Sequence, residues 1–161
     1  MIFLIGYMGS GKSTVASELS DKLNIPYIEM DETIEQQQEM SIPQIFNKYG
    51  EAYFRKLETD LLKSLQAPVI VSTGGGVILA PENQELLKKG TVIFLDASFE
   101  TIDGRLSNDQ ARPLWTNNRE ENRQRYEKRL PVYRSLASHV IQVDHKETPV
   151  IANEVLNCLK S

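Results

Sequence analysis

Residues 1–13 read Met1-Ile2-Phe3-Leu4-Ile5-Gly6-Tyr7-Met8-Gly9-Ser10-Gly11-Lys12-Ser13, an apolar run that passes directly into a glycine-rich segment. Residues 6–13 fit the pattern G-x-x-x-x-G-K-[ST]. A predicted buried strand before this pattern and a helical stretch after it are the context that a phosphate-binding loop requires. Backbone N–H groups at the start of such a helix attract anions, and the helix dipole adds partial positive charge. The alternative is a chance glycine turn; the context favours a site for nucleotide phosphates.

Two side chains of this segment suit the chemistry of a nucleoside triphosphate. Lys12 is expected to reach the β- and γ-phosphates, and the Ser13 hydroxyl is expected to bind Mg²⁺, a hard cation that prefers oxygen ligands. The glycines at 6, 9 and 11 permit backbone angles and a close approach that a Cβ atom would block. The segment therefore predicts Mg²⁺ as the cofactor.

The size and composition are typical of a soluble, single-domain protein. The chain has 161 residues, enough for one domain with a real core. Its net charge of −4 argues against broad binding to nucleic acid or anionic membranes. No apolar stretch approaches the ~20 residues of a membrane span, and the short apolar start lacks the basic region of a signal peptide. With a single cysteine, Cys158, no intramolecular disulfide can form. We expect a cytoplasmic protein.

Short apolar runs alternate with helical stretches, without internal repeats or linkers. The predicted strands are 1–5, 26–28, 68–72, 91–95 and 139–143. The predicted helices are 12–23, 31–38, 42–65, 82–89, 98–106, 117–136 and 147–159. This alternation predicts an α/β fold in three layers, α/β/α, with a central five-stranded parallel sheet covered by helices on both faces. Ligands of such sheets bind beyond the carboxyl ends of the strands.

Acidic side chains follow two of the predicted strands at that edge. Glu29 and Asp31 follow the second strand, and Asp96 follows the fourth. If the second strand continues to residue 31, its two acids project to the same side, one toward Mg²⁺ and the other toward an acceptor hydroxyl. Alternatively, Asp31 caps the next helix, a role that is compatible with catalysis. These segments and the phosphate loop are expected to converge on one site.

Three consecutive glycines, Gly74-Gly75-Gly76, follow the third predicted strand. Such a run is costly in backbone entropy. It favours a loop whose backbone touches a ligand over a tight turn, which rarely needs three glycines. Ser72 or Thr73, directly before the run, could reach the water shell of the metal.

Arginine is concentrated in one part of the chain, at positions 105, 112, 119, 123, 125, 129 and 134. The polar, proline-punctuated stretch 108–118 indicates a mobile loop. An arginine on such a loop could close over a triphosphate and stabilise charge on the transferring group. Most of the other arginines are expected on a solvated helix face, balanced by Glu120, Glu121 and Glu127.

Several motifs, taken in order, resemble those of the shikimate kinase family over essentially the full length. They are Gly6-x-x-Gly9-x-Gly11-Lys12-Ser13, Phe54-Arg55-Lys56-Leu57-Glu58, Gly74-Gly75-Gly76, Arg112-Pro113-Leu114 and Arg129-x-x-x-Tyr133. The phosphate loop alone is shared by many NTPases, whereas the ordered set is far more specific. One departure is Glu29-Met30-Asp31, where the family usually has D-x-D. The longer first acid could still reach Mg²⁺ through a water molecule.

The resemblance implies transfer of the γ-phosphoryl group of ATP to the 3-hydroxyl of shikimate. It implies that Asp31 binds ring hydroxyls and accepts or orients the proton, while Lys12 and Arg112 neutralise the transferring group. The implied ATP-binding residues are Gly9, Ser10, Gly11, Lys12, Ser13, Thr14, Arg105, Arg112 and Pro149, with Arg105 and Pro149 beside the adenine. The implied substrate-binding residues are Asp31, Arg55, Gly74, Gly75, Gly76 and Arg129, with the two arginines on the carboxylate. The implied metal ligands are Ser13 and, through water, Glu29.

The same resemblance implies how the chain is organised. A single P-loop kinase domain spans 1–161, with a mobile lid at about 107–118 and a substrate-binding helical region at about 31–62. Glu58 lies three residues after Arg55, so it could hold that guanidinium from the same helix face. The expected partners are ATP and shikimate, with neither nucleic acid nor membrane, and the expected state is a monomer.

Two other functions remain open at this point. A kinase of the same fold could act on gluconate, which is also a small carboxylate, or on a nucleoside monophosphate. A non-catalytic switch would bind ATP without acceptor-dependent turnover. Intact Lys12, Ser13, Asp31 and Arg112 argue against the switch.

Overall fold

A computed structural model describes residues 1–107 and 118–160 and contains a five-stranded parallel sheet. The strands are β1 (Ile2–Ile5), β2 (Tyr27–Glu29), β3 (Ile70–Ser72), β4 (Thr91–Asp96) and β5 (His139–Gln142). Their spatial order is β2-β3-β1-β4-β5, and every neighbouring pair is parallel. The predicted α/β fold with five parallel strands is confirmed.

Helices cover both faces of this sheet. They are α1 (Lys12–Leu23), α2 (Met30–Gln38), α3 (Ile42–Tyr49), α4 (Glu51–Ser64), α5 (Pro81–Leu87), α6 (Phe99–Ser107), α7 (Arg119–Leu136) and α8 (Thr148–Leu159). Helix α1 packs against β3 and α8, and α7 packs against β4. In the central strand β1, Phe3, Leu4 and Ile5 are at most 1% exposed. Burial this complete is expected for a parallel strand that is covered on both sides.

The single helix predicted over 42–65 is wrong, because the chain breaks at Gly50. Gly50 has φ 87° and ψ 170°, and it ends α3 and precedes α4. A backbone with this positive φ is accessible to glycine and strained for other residues. Ser41 begins α3 with a capping box, in which its hydroxyl accepts from the Gln44 N–H and the Gln44 side chain accepts from the Ser41 N–H. Two shorter helices therefore replace the single predicted one, and they pack against each other and against α2.

The second strand does not continue to residue 31, the condition under which its two acids would project to the same side. Strand β2 ends at Glu29, and α2 begins at the next residue, Met30. Asp31 lies in the first turn of α2, so its direction follows helical geometry and not strand alternation. It is not the N-cap either, because Glu29 holds that position, without a side-chain capping bond. The absence of a connecting loop brings both acids to the carboxyl edge of the sheet.

A buried amide joins the elements that follow β3. A 3₁₀ turn, Val77–Leu79, comes directly after the three glycines and was not predicted. Asn83 of α5 is fully buried; its Nδ2 donates to the Val77 carbonyl (2.9 Å), and its Oδ1 accepts from Thr59 Oγ1 (2.7 Å). Asn83 thereby ties α4 and α5 to the turn that ends the glycine run. Within the described residues, no helix is both long and apolar enough to cross a membrane.

Replacing Asn83 by alanine tests this connection. We expect Asn83→Ala to lower the free energy of unfolding by about 1–3 kcal/mol, because it leaves the buried Val77 carbonyl without its donor. Urea unfolding measures the change. Glu85→Ala on the same helix is the control and is expected to stay within about 0.5 kcal/mol, because its side chain is 75% exposed. Equal stability of the two variants would contradict the proposed connection.

Candidate functional site

The phosphate loop connects β1 to α1 through left-handed glycine conformations. Gly9 has φ 82°, and Gly11, the N-cap of α1, has φ 94°. No side chain in the described part of the chain caps α1, so the N–H groups of its first turn keep their capacity to donate to an anion. The Lys12 ammonium is 8% exposed and donates to the carbonyls of Gly6 (2.6 Å) and Tyr7 (3.1 Å). The buried cation is therefore held against the loop that it is predicted to serve.

The predicted convergence at the carboxyl ends of the strands is present as a cavity of about 490 Å³. Its lining comes from the phosphate loop, the start of α2 and the segment after β3. The predicted residues in this lining are Gly9, Gly11, Lys12, Ser13, Thr14, Glu29, Asp31, Gly74 and Gly75. Phosphate-loop groups, the two predicted carboxylates and the first two glycines of the run thus share one space.

Asp96, the acid that follows β4, is excluded from this space. It is 5% exposed, accepts from Gln142 Nε2 (2.8 Å) and has Arg134 Nη2 at 3.7 Å. Its charge is used to connect β4, β5 and α7, and the expectation that it joins the site is wrong.

A second cavity, of about 480 Å³, lies on the other side of the phosphate loop. Its lining includes the predicted ATP-binding residues Gly9, Ser10, Gly11, Thr14 and Arg105. Arg105 Nη1 donates to the Gly9 carbonyl (2.8 Å). Pro149 is exposed in the first turn of α8, beside Thr148, which lines the cavity although Pro149 itself does not. Sequence reasoning missed Thr148 and Lys146, since neither belongs to a recognisable motif.

Two buried oxygen atoms in the first cavity fit a metal and its water shell. Strand register pairs Glu29 of β2 with Ser72 of β3. Glu29 Oε1 and Ser72 Oγ are buried without a hydrogen-bond partner among the described residues, and both residues line the cavity with Ser13. Across the ranges that the structure describes, no cluster of three or more His, Cys, Asp or Glu residues could hold a metal. Sparse protein oxygens suit Mg²⁺, which keeps several waters and binds phosphates.

Arg55 lies against the third glycine of the run. A Cβ atom at Gly76 would lie 2.6 Å from Arg55 Nη1, so a larger residue there would force the guanidinium to move. Arg55 Nη1 pairs with Glu58 Oε1 (2.7 Å), one helical turn further along α4, as the sequence predicted. Burial raises the pKa of Glu58 above its usual value, the Arg55 pairing opposes this shift, and the Asp31 carboxylate adds to it. Glu58 is therefore a buried carboxyl group that holds Arg55.

Arg129 of α7 lies against the second glycine. A Cβ atom at Gly75 would lie 3.4 Å from Arg129 Nη1, and the guanidinium sits over the Tyr7 ring at 5.7 Å. The two predicted carboxylate-binding arginines thus reach the same loop from different helices. Asp31 reaches the first glycine, since a Cβ atom at Gly74 would lie 2.8 Å from its Oδ1.

Tyr133 is a site residue that sequence reasoning did not assign. Its hydroxyl donates to the Gly75 carbonyl (2.6 Å), and its side chain is 1% exposed. The available signal was its place four residues after Arg129 in the R-x-x-x-Y motif, which puts both side chains on one helix face. Arg112 and the rest of the predicted lid core, 108–117, lie outside the described residues.

The burial of Glu58 gives a testable pH dependence. Because its folded-state pKa is raised, its contribution to stability is present at low pH and is lost as pH rises through that pKa. We expect the free energy of unfolding of Glu58→Gln, relative to the unmodified protein, to rise between about pH 4 and pH 7. Urea titrations across this range measure the trend. Glu51→Gln, which removes the 65% exposed partner of Arg55, is the control and should show no such trend. A flat difference for both variants would contradict the assignment.

Comparison with known proteins assigns this site to a family. A family model described as shikimate kinase matches residues 8–160. The shikimate kinase of Sulfurihydrogenibium sp. (strain YO3AOP1) is 43% identical over 162 residues, covering 99% of this chain and 97% of the relative. That of Dictyoglomus turgidum is 40% identical over 163 residues, covering 97% and 95%.

Solved structures agree with this assignment. Shikimate kinase from Acinetobacter baumannii in complex with shikimate is 34% identical with a TM-score of 0.91, over 99% of this chain and 92% of that one. The Aquifex aeolicus enzyme is 40% identical with a TM-score of 0.84, over 99% and 95%. A gluconokinase from Sinorhizobium meliloti, at 17% identity and a TM-score of 0.60 over 99% and 90%, shares the fold alone. Because the family model and these relatives span nearly the whole chain, the protein belongs to the shikimate kinase family.

Proposed function

We propose that this chain transfers the γ-phosphoryl group of ATP to the 3-hydroxyl of shikimate and releases shikimate 3-phosphate and ADP. The observation that carries the proposal is the single cavity that joins Lys12 and Ser13 of the phosphate loop to Asp31, with Arg55 and Arg129 at the adjoining glycine run. A phosphate site and a site for a small carboxylate are therefore side by side. That arrangement suits transfer between two bound molecules without release of the phosphoryl group into water.

The phosphate side supplies electrostatic stabilisation. Lys12 leaves its loop carbonyls to contact the β- and γ-phosphates, and the N–H groups at the start of α1 donate to the phosphate oxygens. Ser13 would hold Mg²⁺, and Glu29, whose Oε1 has no hydrogen-bond partner among the described residues, would bind it through a water molecule. When bound, Mg²⁺ offsets the phosphate charge. Gly9, Ser10, Gly11, Thr14, Arg105 and Pro149 complete the nucleotide site.

The acceptor side holds the substrate by its carboxylate. Arg55 and Arg129 donate charge-assisted hydrogen bonds to it, and one planar guanidinium can donate two parallel hydrogen bonds to a carboxylate. Gly74, Gly75 and Gly76 bring their backbone against the same group, because no Cβ atom intervenes. Glu58 keeps Arg55 from turning toward solvent. The carboxylate is thus fixed at one end of shikimate while the 3-hydroxyl faces the nucleotide.

Asp31 acts at the reacting hydroxyl. The 3-hydroxyl oxygen forms a bond to the γ-phosphorus as the bond from that phosphorus to the bridging oxygen of ADP breaks, and the hydroxyl proton passes to Asp31. From the family resemblance we also propose that Arg112, on a lid at about 107–118, neutralises the transferring group. The chain is further proposed to act as a monomer with a single domain and a substrate-binding helical region at about 31–62.

The reaction is tested by ATP turnover with Mg²⁺, followed as ADP release. We expect strong stimulation by shikimate and none by gluconate or a panel of nucleoside monophosphates. Stimulation by another acceptor alone would keep the kinase class and overturn the substrate. Nucleotide binding without turnover on any acceptor would favour an ATP-dependent switch. Product analysis by NMR identifies the phosphorylated hydroxyl.

The role of Asp31 is tested by Asp31→Asn, which keeps the side-chain volume and removes the base. We expect turnover to fall by about 10²–10⁴-fold, the usual contribution of a positioned general base, with ATP affinity nearly unchanged. Steady-state kinetics and nucleotide titration measure the two effects. Asp60→Asn, on the exposed face of α4, is the matched control. A normal kcat for Asp31→Asn would sink the assignment.

A further inference from the structure

The carbonyl groups of the glycine run all accept hydrogen bonds, and among the described residues only one of them is held by a distant element. Val77 N–H donates to the Gly74 carbonyl (3.2 Å), and Leu79 N–H donates to the Gly76 carbonyl (3.2 Å). Both bonds are local and belong to the turn that follows. The Gly75 carbonyl accepts instead from the hydroxyl of Tyr133, on α7 (2.6 Å). Tyr133 therefore anchors the middle of the run from outside.

This bond determines how one peptide plane is oriented. The Gly75 carbonyl and the Gly76 N–H belong to the same peptide unit, which is trans, since the cis bond among the described residues is Ala67–Pro68. In a trans peptide the two groups point in opposite directions. With the carbonyl directed to Tyr133, the Gly76 N–H points away from α7. Because glycines lie on both sides of this peptide, rotating it by half a turn costs little energy. Its orientation therefore depends on the hydrogen bond from Tyr133.

Packing holds the Tyr133 side chain in one position, from which its hydroxyl donates. Its ring stacks on Phe94 of β4, with centroids 5.2 Å apart and planes at 20°. Burial raises the pKa of the phenol, an effect that the Arg129 charge only partly opposes, so the hydroxyl keeps its proton at neutral pH. Arg129, one helical turn earlier on α7, lies against Gly75. One helix face therefore carries both the anchor of the loop and a guanidinium beside it.

We propose that Tyr133 is a positioning residue for the acceptor: through the Gly75 carbonyl it holds the Gly76 N–H and the Arg129 guanidinium in one fixed arrangement around the substrate carboxylate. The inference rests on the proposed function and goes beyond it by assigning Tyr133. Tyr133 lines neither the first nor the second cavity. It acts on acceptor binding and leaves the nucleotide site unaffected.

The test separates this role from simple packing by comparing two tyrosines of α7. Tyr133→Phe removes only the hydroxyl. Tyr126→Phe is the matched control, because its hydroxyl also donates to a backbone carbonyl, that of Ala97 (2.8 Å), outside the glycine run. Each variant loses one hydrogen bond, so we expect both melting temperatures to fall by about 2–4 °C.

Only Tyr133→Phe is expected to change acceptor binding. We expect its KM for shikimate to rise about fivefold to tenfold, the effect of one lost hydrogen bond, with the KM for ATP unchanged. Calorimetric titration with shikimate should show the same loss of affinity, and Tyr126→Phe should match the unmodified enzyme in both measurements. A general loss of stability would not raise the KM for shikimate while the KM for ATP stays unchanged.

Three results would overturn the inference. An unchanged KM for shikimate in Tyr133→Phe, despite a lower melting temperature, would show that the hydrogen bond only stabilises the fold. Equal rises in the KM of both substrates would show a general distortion of the site. If the unmodified protein shows no shikimate-dependent turnover, the proposed function fails and this inference fails with it, a result that is seen before any variant is made.

Discussion

The site depends on the close approach of charged side chains to the backbone of three consecutive glycines, which carry no Cβ atoms. At Gly74, Gly75 and Gly76, a Cβ atom would meet Asp31, Arg129 and Arg55 respectively. Three elements, α2, α7 and α4, therefore deliver one charged group each to a run of adjacent residues. A side chain at Gly74 or Gly76 would force the neighbouring charged group to shift, whereas at Gly75 a Cβ atom would be in ordinary van der Waals contact with Arg129.

The same crowding makes the electrostatics interdependent. Glu58 is buried against Arg55 and lies near Asp31, so the cation that it holds only partly opposes the rise in its pKa that burial causes. Lys12 is likewise buried, and loop carbonyls satisfy its ammonium group. Charges in low-dielectric surroundings need partners. Here the partners are supplied within the fold, which keeps the charged groups oriented toward the cavity.

Elements with clear signals in the sequence were predicted well. Positions where a helix breaks inside a continuous apolar pattern were not. Helix α1 follows the phosphate loop with the predicted bounds, because glycines end the strand and periodic apolar residues continue the helix. The split at Gly50 was missed, since apolar periodicity runs through it and only its positive φ reveals the break. The strand predicted over 26–28 and the helix predicted over 31–38 lie close to the observed bounds, but nothing in Glu29-Met30-Asp31 shows that the helix follows the strand without a loop.

By itself the sequence determined the parallel α/β architecture, the phosphate loop and the identities of the charged groups, because these follow from periodicity and short motifs. It also paired Arg55 with Glu58, since helical spacing is local information. Only the tertiary structure decided that Asp96 serves the scaffold and that Tyr133 holds the Gly75 carbonyl. Both outcomes depend on contacts between residues that are far apart in the sequence: Asp96 and Gln142 are separated by 46 positions, and Gly75 and Tyr133 by 58. No local pattern encodes which buried polar groups will meet.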